Sequence, residues 1–179
     1  YPEDENIKKR TTISSMNYKK FNRNLFISNC VFGFVLWLLL IILSVILIGN
    51  SVFTTTNGLL FIGNSFIFTI CALSMAFFIG NLVTNKNAIS GIVNVVALGS
   101  SFLCGAFVPM EFLPDSVLKI AHILPTYWFI KSNETIGNTE VFGGTVVNSL
   151  VTNMIVLIAF TIVFAALTNV VSKKNRKIA

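Results

Sequence analysis

The sequence contains few charged residues, and a long part of it contains none. From Asn24 to Asn85 there is no Asp, Glu, Lys, Arg or His. Charged residues make up 11% of the chain, against roughly 25% in an average soluble domain. A soluble domain cannot cover its surface without charge over such a length, whereas a membrane-spanning helix requires about 20 consecutive apolar residues. The chain is therefore predicted to be an integral membrane protein.

Groups that catalyse reactions or bind metals are equally scarce. The only histidine is His122, which we interpret as a packing or interfacial residue rather than a ligand. The three cysteines, Cys30, Cys71 and Cys104, all lie in apolar runs, which favours helix packing over a disulfide framework. Zinc-type spacing, a nucleophile–base pair and a phosphate-binding glycine loop are all missing from the sequence. We predict no catalytic residue, no metal site and no enzyme activity in the chain itself.

The apolar runs predict an all-α, polytopic membrane domain over residues 30–179. Four transmembrane helices are expected, at residues 30–49, 59–82, 88–108 and 146–171, separated by segments rich in Gly, Asn and Thr. None of the four contains an ionisable residue, although proton- and sodium-driven transporters usually keep such groups inside the membrane. If this domain moves a substrate, the energy is expected to enter from outside the bilayer.

Residues 109–144 predict a short re-entrant pair of helices on the outer side. Pro109 ends the third span, Pro114 precedes an apolar stretch too short to cross a bilayer, and Pro125 ends that stretch. Tyr127 and Trp128 follow, in a cluster typical of the membrane interface. Such broken backbone is tolerated at membrane depth only where protein covers it or where it lines a cavity.

The basic residues predict the orientation. With a cytoplasmic N-terminus, 11 of the 13 Lys and Arg residues lie inside and only Lys119 and Lys131 lie outside. This distribution obeys the positive-inside rule, so both ends are expected in the cytoplasm of a multi-pass cell-membrane protein. The net charge of +6 then reflects topology and contact with anionic lipid, and no nucleic-acid partner is predicted.

Residues 1–29 form a polar cytoplasmic lead-in. Tyr18, Phe21 and Leu25 fall on one helical face opposite a basic face, a pattern typical of an amphipathic helix at the membrane surface that leads into the first span. The preceding uncharged residues from Thr11 to Met16 are rich in N-cap types and predict the start of a small helix. A simple connector with a polybasic anchor explains the same composition equally well.

Polar residues form stripes along several spans. Tight helix packing through small and polar side chains is the favoured interpretation, and a substrate path is the alternative. The second span shows a stripe of Asn64, Cys71, Ser74 and Asn81. The candidate path residues lie in and next to the third and fourth spans, and are Asn87, Ser90, Asn94, Ser101, Asn148 and Thr152.

Three short stretches resemble one transporter family. They are the acidic-then-basic lead-in from Glu3 to Arg10, the Gly105-Ala106-Phe107-Val108-Pro109 segment followed by Phe112-Leu113-Pro114, and Leu124-Pro125-Thr126-Tyr127. In this order, with four spans and a basic tail, the chain resembles the C-terminal two thirds of a permease subunit of the ABC-2 type transporters. That family's first two spans have no counterpart in this sequence.

The resemblance implies the membrane subunit of an ATP-driven exporter. Its expected partners are an ABC ATPase subunit, a second permease copy or paralogue, and membrane lipid, with ATP and Mg²⁺ bound on the ATPase rather than on this chain. The resemblance also implies a coupling helix that contacts the ATPase, carried by Arg10, Thr12, Ile13, Ser14, Ser15, Met16 and Lys19. The alternative is a non-transporting membrane scaffold, or an immunity or assembly protein.

Overall fold

A computed structural model describes the backbone of residues 18–83 and 85–178 and the side chains of residues 27–83, 85 and 87–172. This part of the chain is helical and contains no strand. Its α-helices are, in order, α1 (Tyr18–Ile48), α2 (Ser51–Thr54), α3 (Thr56–Leu82), α4 (Lys86–Leu103), α5 (Asp115–Ala121), α6 (Pro125–Gly137) and α7 (Gly144–Ile178). A single turn of 3₁₀ helix, Met110–Phe112, lies between α4 and α5. The predicted all-α class is confirmed.

Three helices contain segments long and apolar enough to cross a membrane: Ile27–Ile48 in α1, Thr56–Leu82 in α3 and Gly144–Ser172 in α7. These segments correspond to the first, second and fourth predicted spans. The third predicted span corresponds to α4, whose 18 residues reach about 27 Å, slightly less than the roughly 30 Å hydrocarbon core. A fourth crossing therefore remains a prediction.

The end of α4 differs from the predicted boundary at residue 108. Gly105 adopts a φ of +93°, and the Ala106 N–H donates to the Ser101 carbonyl at 3.0 Å. This is a Schellman-type cap, in which a left-handed glycine stops the helix and satisfies a terminal carbonyl. The helix consequently ends at Leu103, and the apolar residues up to Val108 form a connecting loop.

The predicted surface helix and the first span form one uninterrupted helix, α1, that begins at Tyr18. α1 packs against α3 at Gly33, which is buried and where the side chain of Leu73 fills the space that a Cβ would need. Trp37 adds an edge-on ring contact with Phe66, the centroids 5.0 Å apart. The opposite face of α1 exposes large apolar side chains such as Ile42 and Ile46, as expected of a helix in lipid.

The centre of the fold is the contact between α3 and α7. The Cys71 side chain lies next to Thr161, and the Phe78 and Phe164 ring centroids are 6.1 Å apart. Both contacts join residues at similar distances from the starts of their helices, so α3 and α7 run parallel. Cys71 and Ser74 are buried on α3, as is Asn64, whose side-chain hydrogen bonds are to α6. The burial of three of its four residues supports the packing interpretation of the polar stripe on the second span.

Candidate functional site

The short helix α6 lies against α3 and α7, at the end of the bundle where both long helices begin. Its last turn is attached to α3 by Asn57, whose Nδ2 donates to the Ile136 carbonyl at 2.9 Å and to the Thr139 carbonyl at 3.0 Å. These carbonyls lie at a helix end, where no intrahelical donor is available to them. One asparagine of a spanning helix thus supplies a donor to a carbonyl in the last turn of α6 and to a second carbonyl just after the helix.

A second asparagine holds the middle of α6. Asn64 is fully buried, and its Nδ2 donates to the Phe129 carbonyl at 3.1 Å and to Asn133 Oδ1 at 2.8 Å. The Phe129 ring stacks on Phe68 of α3, with centroids 4.2 Å apart and planes within 11°. Polar and aromatic contacts together attach α6 to α3 along most of its length.

A cluster of three rings and one lysine lies around the start of α6. It consists of His122, Tyr127, Trp128 and Lys131. The His122 ring lies 4.1 Å from the Tyr127 ring, and Trp128 Nε1 donates to the His122 carbonyl at 3.0 Å. Lys131 Nζ lies 5.5 Å from the centroid of the Tyr127 ring and 5.8 Å from that of Trp128, within the range of cation–π attraction. These contacts fix the turn between α5 and α6 and agree with a packing role for His122.

The predicted re-entrant residues all lie in this segment. Pro109 and Pro114 are exposed and immediately precede the 3₁₀ turn and α5. Pro125 is buried as the first residue of α6, where its fixed φ suits a helix start and its missing N–H costs nothing. Tyr127 is buried with Cys104 and Ala121 in a small apolar core, and Trp128 packs on its edge. The expected pair of short helices is present, and its entry into the membrane remains a prediction.

A cavity of about 590 Å³ lies between α1, α2, α3 and α6. Its wall is mainly apolar, with Asn57 and Asn133 at the α6 side and the hydrogen bond from Trp37 Nε1 to Ser65 Oγ (3.0 Å) at the α1 side. The volume lies within the roughly 300–1,000 Å³ typical of small-molecule pockets.

The candidate path residues lie on faces of α4 and α7 that point away from the helices of this chain. Asn87, Ser90 and Asn94 are exposed on α4, whereas Ser100 and Cys104 are buried. On α7, likewise, Asn148 and Thr152 are exposed and Leu150, Asn153 and Leu157 are buried. Ser101 is half-buried, and its hydroxyl donates to its own helix at Ala97. Packing within this chain does not account for the exposed residues, so a partner helix or a polar path remains to explain them.

Most of the predicted coupling residues, Arg10, Thr12, Ile13, Ser14, Ser15 and Met16, lie outside the described residues. Lys19 lies in the first turn of α1, and its side chain is not among those described. Over the described part of the chain, no group of three or more His, Cys, Asp and Glu residues comes together as a metal site would require.

Sequence reasoning missed the asparagines that organise this site. In the sequence, Asn64 belongs to a polar stripe and Asn57 to a connecting segment, and none of the patterns described above includes Asn153. A usable signal for Asn153 existed, because it shares a helical face with Leu157, Thr161, Phe164 and Thr168. Its partners could not be read in the same way, since the contacts of α6 with α3 join residues 65 to 82 positions apart.

The sequence matches a known protein family. A sequence profile described as "ABC-2 family transporter protein" matches residues 5–169, nearly the whole chain. The chain belongs to the ABC-2 transporter family. The match extends from the lead-in, through the Gly105–Pro109 and Pro125–Tyr127 segments, to most of α7. Comparisons with curated proteins and with solved structures find no match.

Membership of the ABC-2 family and the three long apolar helices make the chain a multi-pass membrane protein with a permease-type role in transport. In ABC-2 transporters the permease is typically the non-catalytic transport component.

Proposed function

We propose that this chain is the permease subunit of an ATP-driven exporter in the cell membrane. The observation that carries the proposal is the family match over residues 5–169, which includes both the lead-in and the spans. The spans contain no ionisable residue with which a proton or sodium gradient could drive transport, which favours energy supplied by a partner. That partner is an ABC ATPase subunit, which binds ATP and Mg²⁺, and a second permease copy or paralogue completes the transporter.

In this proposal the lead-in transmits the ATPase cycle to the spans. Closure of the ATPase subunits around ATP pushes on residues Arg10 to Lys19, and the permease pair shifts between two packings. The exposed polar faces of α4 and α7, centred on Asn94 and Asn148, then face the substrate path at the interface between permeases. With the polar path between two permeases, neither face has to contact the lipid.

The coupling role is tested with the double variant Ile13→Asp, Met16→Asp in proteoliposomes that contain the permease and its ATPase. An unpaired charge buried in the contact costs several kcal/mol, so transport should be lost while the protein remains folded and inserted. The matched control, Ile13→Leu with Met16→Leu, keeps the apolar contact and should export normally. Normal export by the Asp variant would exclude this segment as the coupling contact.

The same preparation distinguishes the exporter from a membrane scaffold. A permease should stimulate the ATP hydrolysis of its partner and move substrate in an ATP-dependent manner. A scaffold should bind partners without either effect.

A further inference from the structure

Three buried polar atoms have no hydrogen-bond partner among the described residues: Asn64 Oδ1, Ser132 Oγ and Asn153 Nδ2. Their residues are 0%, 0% and 3% exposed. Buried polar groups nearly always have a partner, and an ordered water molecule commonly supplies it where protein does not. Each of the three belongs to a different helix, α3, α6 and α7 respectively.

The register of α3 on α7 brings Asn64 and Asn153 to the same level. Cys71 and Thr161 lie next to each other across this contact, and Asn64 lies seven residues before Cys71 on the same face. Asn153 lies eight residues before Thr161. Along their parallel helices, Asn64 is therefore about 10.5 Å from Cys71 and Asn153 about 12 Å from Thr161, both toward the N-terminal ends of the helices. They consequently lie at about the same level along the two helices.

Ser132 of α6 lies at the same point. Asn64 donates to the Phe129 carbonyl and to Asn133 Oδ1, which are the groups one helical turn before and one residue after Ser132. The three-helix junction of α3, α6 and α7 therefore contains the unpartnered atoms of all three residues.

The chemistry of the three atoms selects the ligand. The orientation of the Asn64 amide is fixed, because its Nδ2 faces the Phe129 carbonyl, which can only accept. Asn64 Oδ1 is therefore an acceptor, the Asn153 amide in its assigned orientation presents the donor Nδ2, and the Ser132 hydroxyl can be either. A metal cation needs oxygen ligands and would be repelled by the positively polarised N–H groups of the Asn153 side-chain amide. A water molecule donates and accepts, and it matches the set.

We propose that the junction of α3, α6 and α7 binds a buried water molecule. The water donates a hydrogen bond to Asn64 Oδ1, accepts one from Asn153 Nδ2 and has the Ser132 hydroxyl as its third partner. It connects the two spanning helices to α6, so that α6 is attached to the bundle by a hydrated polar junction. The proposal concerns this site alone and does not depend on the proposed transport function.

The direct test is magnetisation transfer from water to side-chain amides by solid-state NMR, on the intact protein in nanodiscs with ¹⁵N-labelled asparagine. A cross-peak from water to Asn153 Nδ2 is expected, identified by its loss in Asn153→Leu, and it should disappear in Asn64→Leu. The Asn57 amide, already bonded to two carbonyls, is the internal control and should be unchanged by Asn64→Leu. Absence of the Asn153 cross-peak in the wild-type protein would overturn the proposal, because the two amides would then pair directly.

Thermal unfolding adds a second readout. Asn64→Leu and Asn153→Leu should each lower Tm by roughly 3–8 °C, as expected for the loss of one partner of a buried polar group in a chain of this size. The Tm of the double variant should be no lower than that of the less stable single variant, because both groups that needed the water are then gone. Fully additive losses would overturn the shared site. Asn169→Leu, an exposed asparagine on α7, is the matched control and should leave Tm nearly unchanged.

Salt composition separates water from a cation. The wild-type protein should have the same Tm in sodium, potassium and choline chloride at equal ionic strength, because water needs no counter-ion. A higher Tm in sodium or potassium would identify a bound cation and overturn the water assignment.

If Asn64→Leu does not fold, the smaller change Ser132→Ala should still shift the amide frequency of Asn153, and an unchanged frequency would remove Ser132 from the site.

Discussion

At the residue scale, the glycines of α3 differ in what surrounds them. A Cβ added at Gly58 would lie 2.2 Å from the Val52 carbonyl oxygen, which is part of the α2 backbone and cannot rotate away. A Cβ added at Gly63 would meet nothing within 4 Å. Replacing glycine by alanine at each of these two positions therefore distinguishes a steric effect from a change in helix propensity.

Gly58→Ala should lower Tm by roughly 2–12 °C, since overpacking costs about 1–3 kcal/mol and each kcal/mol is worth roughly 2–4 °C at this size. Gly63→Ala, the control, should leave Tm unchanged or slightly higher, because alanine is the better helix former. Differential scanning fluorimetry in nanodiscs measures both. Equal losses in the two variants would contradict the close approach of α2 to Gly58.

Asn94 is an amide on the exposed face of a helix in a membrane protein. If it lines a path, Asn94→Leu should change the flux or the substrate preference, with Tm and ATPase association near normal. If it packs against a partner helix, the loss should be a small change in stability, since hydrogen bonds between membrane helices average only about 0.6 kcal/mol. Val95→Leu, at a position that is 73% exposed, is the control. Unchanged flux in Asn94→Leu would exclude the path role.

At the element scale, α6 depends on α3 for the hydrogen bonds that its own ends cannot make. Asn57→Ala removes the donor to the Ile136 and Thr139 carbonyls. Amide hydrogens in the last turns of α6 should then exchange about tenfold faster, which corresponds to about 1.4 kcal/mol of local stability. Hydrogen–deuterium exchange with mass spectrometry measures this change. The neighbouring exposed Thr56→Ala is the control, and the same acceleration there would mean that the Asn57 bonds are not the cause.

At the scale of the whole molecule, the fold separates two sets of exposed positions. Asp115 and Asn138 lie at the beginning of α5 and the end of α6, and Asn85 caps the start of α4. All three are exposed, so their accessibility to a reagent depends on the side of the membrane.

Single cysteines at Asp115 or Asn138, in a protein without Cys30, Cys71 and Cys104, should react with an impermeant thiol reagent on whole cells. A cysteine at Asn85 should react only after lysis, because the charge distribution assigns that end of the bundle to the cytoplasm. Labelling is measured as a mass shift of the purified protein. The reverse pattern would overturn the predicted orientation.

The sequence by itself determined the membrane class, the all-α fold, the positions of the long apolar helices and the family. These properties follow from local signals: hydropathy over about 20 residues, and proline and glycine at helix ends. The turn at Gly105–Pro109 illustrates their limit. The glycine and proline were recognised, but the choice of Leu103 as the last helical residue depended on the backbone of Gly105.

The tertiary structure alone decided which polar residues serve packing and which remain exposed. Asn64 and Asn94 both belong to polar stripes on predicted spans, yet Asn64 is fully buried against α6 and Asn94 is exposed. The periodicity of one helix gives the direction of a face relative to that helix only. The rotation of each helix against its neighbours depends on contacts distant in sequence, such as Gly33 with Leu73 and Cys71 with Thr161. For this reason the junction of α3, α6 and α7 could not be derived before the helices were assembled.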